Sequence, residues 1–446
     1  MTNSRGEFSS RFGFLMAASG SAVGLGNIWG FPTNAASNGG AAFLFTYLLL
    51  ALVLAYPALM AELIIGRHSR SNAVTALQLI SVGEKSKLLG FLVGFLGIVT
   101  VTFILSFYAV VSGWMFALFI EPIARFFGWI SVASWLEFDS TARNIIALVL
   151  FMVLTISIIN AGVQNGIEKW ARRLMPALIT ILIALSLYVF TLPGALVGLQ
   201  AYLIPDFTRV ASAELLVDAM GQAFFSLSLG VGTMLVYGSY LSKEENLPMI
   251  GGLVALLDVG IAVLAGLLIL PAMYVALESG VEIFDSQGNL IAGPRLIVSV
   301  LPNLFGTMGS VGLFVAFSFF ALMTIASLTS SISMLEVPVS YAVEELNFSR
   351  SRASVSIGGF VTIMSILIAM NFDWLFDVVV TLTTELSQPL LGLFFCIFVG
   401  WIWRRDAILE EIRCGSPNVQ NSIFWKIWPF YVKFICPLAI LMVYLQ

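Results

Sequence analysis

The chain has 446 residues, 59% of them hydrophobic and 10% charged, with a formal net charge of −4 and a mean hydropathy of +0.99. No soluble domain of this length has that composition, so the chain reads as a polytopic membrane protein, and its near-neutral charge without a basic block gives no footing for nucleic-acid binding. Cys396, Cys414 and Cys436 sit at no metal spacing, and two of them lie in apolar segments, which argues against disulfides and structural zinc.

A bilayer crossing takes about 20 apolar residues. By that measure about eleven segments qualify: 11–35, 41–66, 88–121, 143–160, 169–192, 214–240, 248–277, 308–342, 353–370, 376–403 and 424–445. Most connections are short, which predicts one all-α integral membrane domain over residues 1–445. Arg5, Glu7 and Arg11 precede the first segment with no small-residue cleavage site, so the N-terminus reads as a cytoplasmic start and not as a signal peptide. The positive charges agree. Arg5, Arg11, Arg67, Arg70, Lys85, Lys87, Lys169, Arg172, Arg173, Lys243, Arg350, Arg352, Arg404, Arg405 and Arg413 fall on one side, against Arg125, Arg143, Arg209 and Arg295 on the other. An odd number of spans then puts the C-terminus outside. Lys433 falls within the last span and fits neither side, and His68, the one histidine, is expected in a surface loop.

The first segment contains S-G-S-A-V-G-L-G-N-I-W-G-F-P at 19–32. Glycine is entropically disfavoured in a helix and proline removes a backbone donor, so this stretch predicts a break. Unwound backbone at membrane depth must be buried in protein or line a wet cavity, because each unpartnered amide or carbonyl there costs several kcal/mol. A bound cation would satisfy the freed carbonyls, and Asn27 adds a side-chain oxygen. The plainer alternative is close helix packing through Gly20-x-x-x-Gly24. A second interruption, Q-A-F-F-S-L-S-L-G-V-G at 222–232, falls in the sixth segment; its serines have the alternative of bonding back to their own helix. The two interruptions occupy corresponding spans of two five-span halves, 11–192 and 214–403, with 424–445 as an extra helix. Such pairing points to a transporter site near the bilayer midplane.

Four acids, Glu62, Asp258, Glu336 and Glu385, fall inside apolar segments, where an acid marks an ion path or a specific partner. Asp258 also has the alternative of a protonated, hydrogen-bonded structural group. The eighth segment carries A-S-L-T-S-S at 326–331, a hydroxyl-rich turn in an otherwise oily helix. Hydroxyls and carbonyls with few acids make a hard-oxygen cage suited to a small cation of low charge.

These motifs, with S-F-Y at 106–108, stand in the order found in the neurotransmitter:sodium symporter family. Essentially the whole chain resembles the bacterial amino-acid transporter branch, of the leucine transporter and multihydrophobic amino-acid transporter type. The resemblance implies a 5+5 inverted repeat with broken first and sixth helices, and two sodium sites. Sodium 1 would take the Ala22 carbonyl, Asn27, Ser226, Asp258 and the substrate carboxylate. Sodium 2 would take the carbonyls of Gly20, Val23 and Ala326 and the hydroxyls of Thr329 and Ser330. The substrate carboxylate would meet amides near Gly24 and Gly26 and the Tyr108 hydroxyl. Its amine would face carbonyls around Phe225, Ser226 and Ser228, and Ile104, Phe225, Val231 and Met334 would line the side-chain pocket. Glu62 would bond the unwound sixth span. Arg5 and Glu344 would close the inner gate with Tyr240 and Glu336 nearby, and Gly166 with Pro176 would let the fifth span unwind. Gly30 stands where the family usually has a gate arginine, and Phe8 where it has a tryptophan.

The function implied is sodium-coupled import of a neutral, hydrophobic or aromatic amino acid across a bacterial inner membrane by alternating access. Gly24, where amine transporters carry an aspartate, leaves room for a carboxylate, and the fixed charge of Asp258 implies no chloride requirement. The expected partners are the amino acid and the bilayer, with no obligatory protein partner. An amino-acid sensor on the same fold, without net transport, is the alternative. An intramembrane enzyme would need a nucleophile and base or a histidine cluster, and neither is in the sequence.

Overall fold

The computed structural model describes residues 6–204, 212–285, 290–291 and 296–444. Among them the only β pairing is an isolated bridge between Phe284 and Leu290. Among the described residues nine helices are long and apolar enough to cross a membrane: Ala41–Ser69, Glu84–Phe126, Thr141–Asn160, Val163–Val189, Leu247–Glu278, Gly309–Glu344, Arg350–Met370, Phe372–Ile402 and Ile423–Met442. A further crossing is a bent pair, Arg11–Ala22 and Gly26–Ser37, whose axes differ by 61°. The sixth span is split into Ala213–Ser226 and Thr233–Gly238. The architecture is therefore an all-α membrane bundle of about eleven spans, broken in the first and the sixth.

Local chemistry explains both breaks. The first helix starts at Ser10, whose hydroxyl accepts from the Gly13 amide at 3.0 Å, and stops where Val23 turns extended (φ −71°, ψ 102°). The break is narrower than the glycine pattern suggests, because Gly26 and Gly30 remain helical and Pro32 sits in the first turn of the next helix, where its missing amide has no helical partner to lose. In the sixth span the chain enters the left-handed region at Ser228 (φ 52°), Gly230 (φ 88°) and Gly232 (φ 78°). A Cβ at position 230 would run into the Gln388 carbonyl oxygen, so that turn requires glycine.

The long third span (Glu84–Phe126) and eighth span (Gly309–Glu344) pack on each other. The N-terminal half of the first span lies against the fifth and eighth spans, and its second half against the seventh, Leu247–Glu278. The breaks are thus enclosed by long continuous helices.

Two expectations are corrected. His68 is not in a loop: it ends the second span (Ala41–Ser69), with Nδ1 3.2 Å from Glu411 Oε2 and its ring 4.8 Å from that of Trp403. Its neighbour Arg67 is fully buried, with Nε 2.8 Å from Glu411 Oε1. The Arg405–Arg413 helix brings this carboxylate back beneath the second span. Glu385 is exposed, unlike the buried Glu62, Asp258 and Glu336. The fifth span is helical from Val163 through Pro176 in this conformation, with Gly166 and Pro176 inside it.

Candidate substrate and ion site

Asn27 joins the two breaks to the seventh span. Its Nδ2 donates to Ser226 Oγ at 2.7 Å and to Asp258 Oδ1 at 2.8 Å, while its Oδ1 accepts from the Gly24 amide at 3.1 Å. Ser226 Oγ donates to Asp258 Oδ2 at 2.7 Å and accepts from the Tyr47 hydroxyl at 3.2 Å. Asn27 is 1% exposed and Asp258 not at all, and no Lys or Arg pairs with Asp258 among the described residues. An acid buried beside an amide and a hydroxyl group, with no side-chain counter-charge, is a small-cation environment.

A second oxygen cluster lies on the other side of the first break. Ser330 Oγ is 3.3 Å from the Gly20 carbonyl, 3.1 Å from that of Val23 and 3.4 Å from that of Ser21. Next to it in sequence, Thr329 Oγ1 donates to the Ala326 carbonyl at 3.1 Å. Several other liberated groups also have partners. Leu25 N donates to Tyr108 OH at 3.2 Å, Gln222 Nε2 to the Gly26 carbonyl at 3.4 Å, Gly230 N to Glu62 Oε1 at 2.7 Å, and Gln388 Nε2 to the Leu229 carbonyl at 3.1 Å. These bonds are what make broken backbone tolerable in an apolar bundle.

Between the clusters is a cavity of about 60 Å³, lined by Ala22, Gly24, Leu25, Gly26, Asn27, Ile104, Phe107, Tyr108, Phe225, Ser228, Val231, Ser330, Met334 and Gln388. A Cβ at position 24 would lie 3.1 Å from both Tyr108 OH and Ser330 Oγ, so the glycine keeps this polar corner open. Of the ten residues expected at the substrate, Ser226 alone does not line the cavity; it faces Asn27 and Asp258 instead.

The sequence matches the sodium:neurotransmitter symporter family over residues 5–145 and 136–446. The chain belongs to the sodium:neurotransmitter symporter family. It is 34% identical to the uncharacterized sodium-dependent transporter YhdH of Bacillus subtilis, over 99% of this chain and 97% of that one. An uncharacterized sodium-dependent transporter of Haemophilus influenzae is 31% identical over 99% and 98% of the two chains. The fold matches the crystal structure of MhsT in complex with L-phenylalanine, with a TM-score of 0.83, 35% identity and 99% coverage of both chains.

The residues expected at the gate lie at the end of the bundle that carries the N-terminus. Tyr240 OH donates to Glu336 Oε1 at 2.5 Å, and Arg350 clasps both Glu336 oxygens at 2.9 and 2.6 Å. Arg350 was not among the expected gate residues. Glu344 accepts from Asn72 N at 2.8 Å and Asn72 Nδ2 at 3.0 Å, while Arg5, its expected partner, lies outside the described residues. Phe8 packs edge-on against Phe14, Tyr237 and Tyr240. Beside it Glu168 receives Ser9 N at 2.7 Å, Ser9 Oγ at 2.7 Å and Ser10 Oγ at 3.0 Å, tying the N-terminal segment to the fifth span. At Gly30 a Cβ would meet only Gln222 Oε1, at 3.9 Å.

The sequence reading also missed Leu25, Phe107 and Gln388 in the cavity. Leu25 and Phe107 each adjoin a residue the motifs singled out. Gln388 had a signal of its own, a glutamine followed by proline inside an apolar segment.

Proposed function

We propose that this protein couples sodium entry to import of a neutral amino acid with a hydrophobic or aromatic side chain, by alternating access. The observation that carries the proposal is the bonding of Asn27 to Ser226 and Asp258, which joins both breaks at the edge of the cavity. In this reading sodium 1 is held by the Ala22 carbonyl, Asn27, Ser226 and Asp258, and sodium 2 by the carbonyls of Gly20, Val23 and Ala326 with Thr329 and Ser330. The zwitterion sits between them, its carboxylate toward the Gly24 and Gly26 amides and Tyr108, its side chain toward Ile104, Val231, Met334 and Phe225. Support for an amino acid comes from the phenylalanine bound by MhsT. Support for apolar side chains comes from the apolar residues in the cavity wall.

Asp258 supplies the negative charge a cation there requires, so transport needs no chloride. The basic end is cytoplasmic, in the inner membrane of a bacterium, which makes the Glu336–Arg350–Tyr240 network the inner gate. The halves 11–192 and 214–403 rock against each other, and 424–445 stands apart as an extra helix. A tenfold gradient supplies about 1.4 kcal/mol per sodium ion, and 100 mV supplies about 2.3 kcal/mol per charge. Two of each give about 7 kcal/mol, a ceiling near 10⁵-fold accumulation.

The test is uptake and counterflow of labelled phenylalanine in proteoliposomes. Sodium-dependent accumulation and exchange support symport. Binding in detergent without counterflow identifies a sensor instead.

A further inference from the structure

Between the tenth span (Phe372–Ile402) and the eleventh (Ile423–Met442), on the basic side of the bundle, lies a cavity of about 340 Å³. Three cations line it, Arg405, Lys426 and Lys433, and no acid does. None of the three makes an ion pair among the described residues. Two of them lie against aromatic rings: the Lys433 ammonium is 4.3 Å from the centre of the Trp401 ring and Arg405 is 5.4 Å from that of Trp425. The remaining wall is apolar and includes Trp403 and Trp428.

This arrangement has a definite depth. Tryptophans gather where a membrane protein crosses the headgroup layer. Lys433 lies ten residues into the helix that begins at Ile423, about 15 Å along its axis, and a lysine so placed extends its ammonium back toward the nearer headgroups. Gly400 brings the two spans together, since a Cβ there would lie 2.8 Å from Lys433 Cα. The cavity is thus a wedge between two helices, apolar toward the bilayer interior and cationic toward the headgroups. Its surplus of positive charge, in a place where lysine is costly, calls for a phosphate ester that carries acyl chains.

We infer that this cavity is a binding site for an anionic phospholipid of the basic-side leaflet, its phosphate held by Arg405, Lys426 and Lys433 and its chains lying against the tenth and eleventh spans. The site is separate from the transport cavity, with which it shares no lining residue. It also gives Lys433 a reason to stand within a span.

The test uses the full-length protein, delipidated in nonionic detergent, with thermal unfolding and native mass spectrometry as readouts. Short-chain phosphatidylglycerol, short-chain phosphatidylcholine and inorganic phosphate are titrated in parallel. The inference predicts a rise in melting temperature and a retained lipid adduct with phosphatidylglycerol alone. Each cation near an anionic headgroup contributes about fivefold in affinity, so the Arg405→Gln, Lys433→Gln double variant is expected to weaken phosphatidylglycerol roughly thirtyfold. Lys433→Arg, which keeps the charge, retains the preference and guards against a variant that merely misfolds. Equal effects of phosphatidylcholine and phosphatidylglycerol, or unchanged lipid affinity in the double variant, overturn the site. Equal stabilisation by inorganic phosphate overturns the lipid as its occupant.

Discussion

Asn27 and Asp258 come from helices more than two hundred residues apart in sequence, and the Asn27 amide donates to the Asp258 carboxylate at 2.8 Å in a fully buried setting. The bond fixes the second half of the first span against the seventh span. Replacing Asp258 by Asn keeps the shape and removes the charge, so the variant is expected to bind sodium at least tenfold more weakly. Sodium titration of the wild-type and variant proteins by thermal shift checks it. Under the proposed chloride independence, added chloride should restore part of the affinity in Asp258→Asn and none in the wild type.

The break in the sixth span rests on Glu62, whose Oε1 accepts from the Gly230 amide at 2.7 Å. Glu62→Ala leaves that buried donor without a partner, a loss of about 1–3 kcal/mol, while Glu62→Gln keeps an acceptor and loses less. Thermal unfolding in detergent should rank wild type, then Glu62→Gln, then Glu62→Ala, with phenylalanine binding in the same order.

In the Glu336–Arg350 pair, Arg350 is partly exposed and Glu336 is fully buried. Arg350→Ala therefore strands a buried carboxylate and is expected to cost about 3–5 kcal/mol. Glu336→Gln leaves only a neutral group buried and is expected to cost less. Comparing the melting temperatures of the two variants checks the asymmetry.

Glu168 holds Ser9 and Ser10 through three hydrogen bonds. Glu168→Ala should free the N-terminal segment from the fifth span and raise the population open to the inside. A cysteine placed at Ser10 is expected to react with a soluble maleimide several-fold faster in that background. An unchanged rate would mean that the Phe8 contacts alone hold the gate.

Burial works against the Glu411 carboxylate, but the hydrogen bond with His68 and the charges of Arg67 and Lys243 outweigh it and hold its carboxyl below the usual value. A carboxyl group with a lowered folded-state pKa stabilises the fold fully above its unfolded value, and that contribution disappears as pH falls through the folded value. Stability from this cluster should therefore be flat near neutrality and decline only in acid. Glu411→Gln should lower the melting temperature at neutral pH and shrink the difference from wild type as the pH drops. A difference that grows in acid would contradict the assignment.

The spans were legible because length and apolarity alone specify a crossing, and the breaks because glycine, proline and serine interrupt an oily pattern. Asn27, Asp258 and Ser330 could be found because polar side chains in such surroundings stand out. What escaped was long-range pairing. Nothing near His68 or Arg67 announces Glu411, which lies more than three hundred residues on, and nothing near Ser9 announces Glu168. The short helices Ala73–Leu79, Ile130–Glu137, Ala195–Leu203 and Arg405–Arg413 escaped too, since seven to nine residues carry too few turns for a periodic signal.

The central claim is that the oxygen clusters at the two breaks make amino-acid binding depend on sodium. It is tested most directly by measuring phenylalanine affinity of the purified protein in sodium and in potassium at equal ionic strength. The account predicts affinity at least a hundredfold higher in sodium, with most of that gain lost in Asn27→Ala. Equal affinity in the two salts, or a full sodium effect in Asn27→Ala, would contradict it.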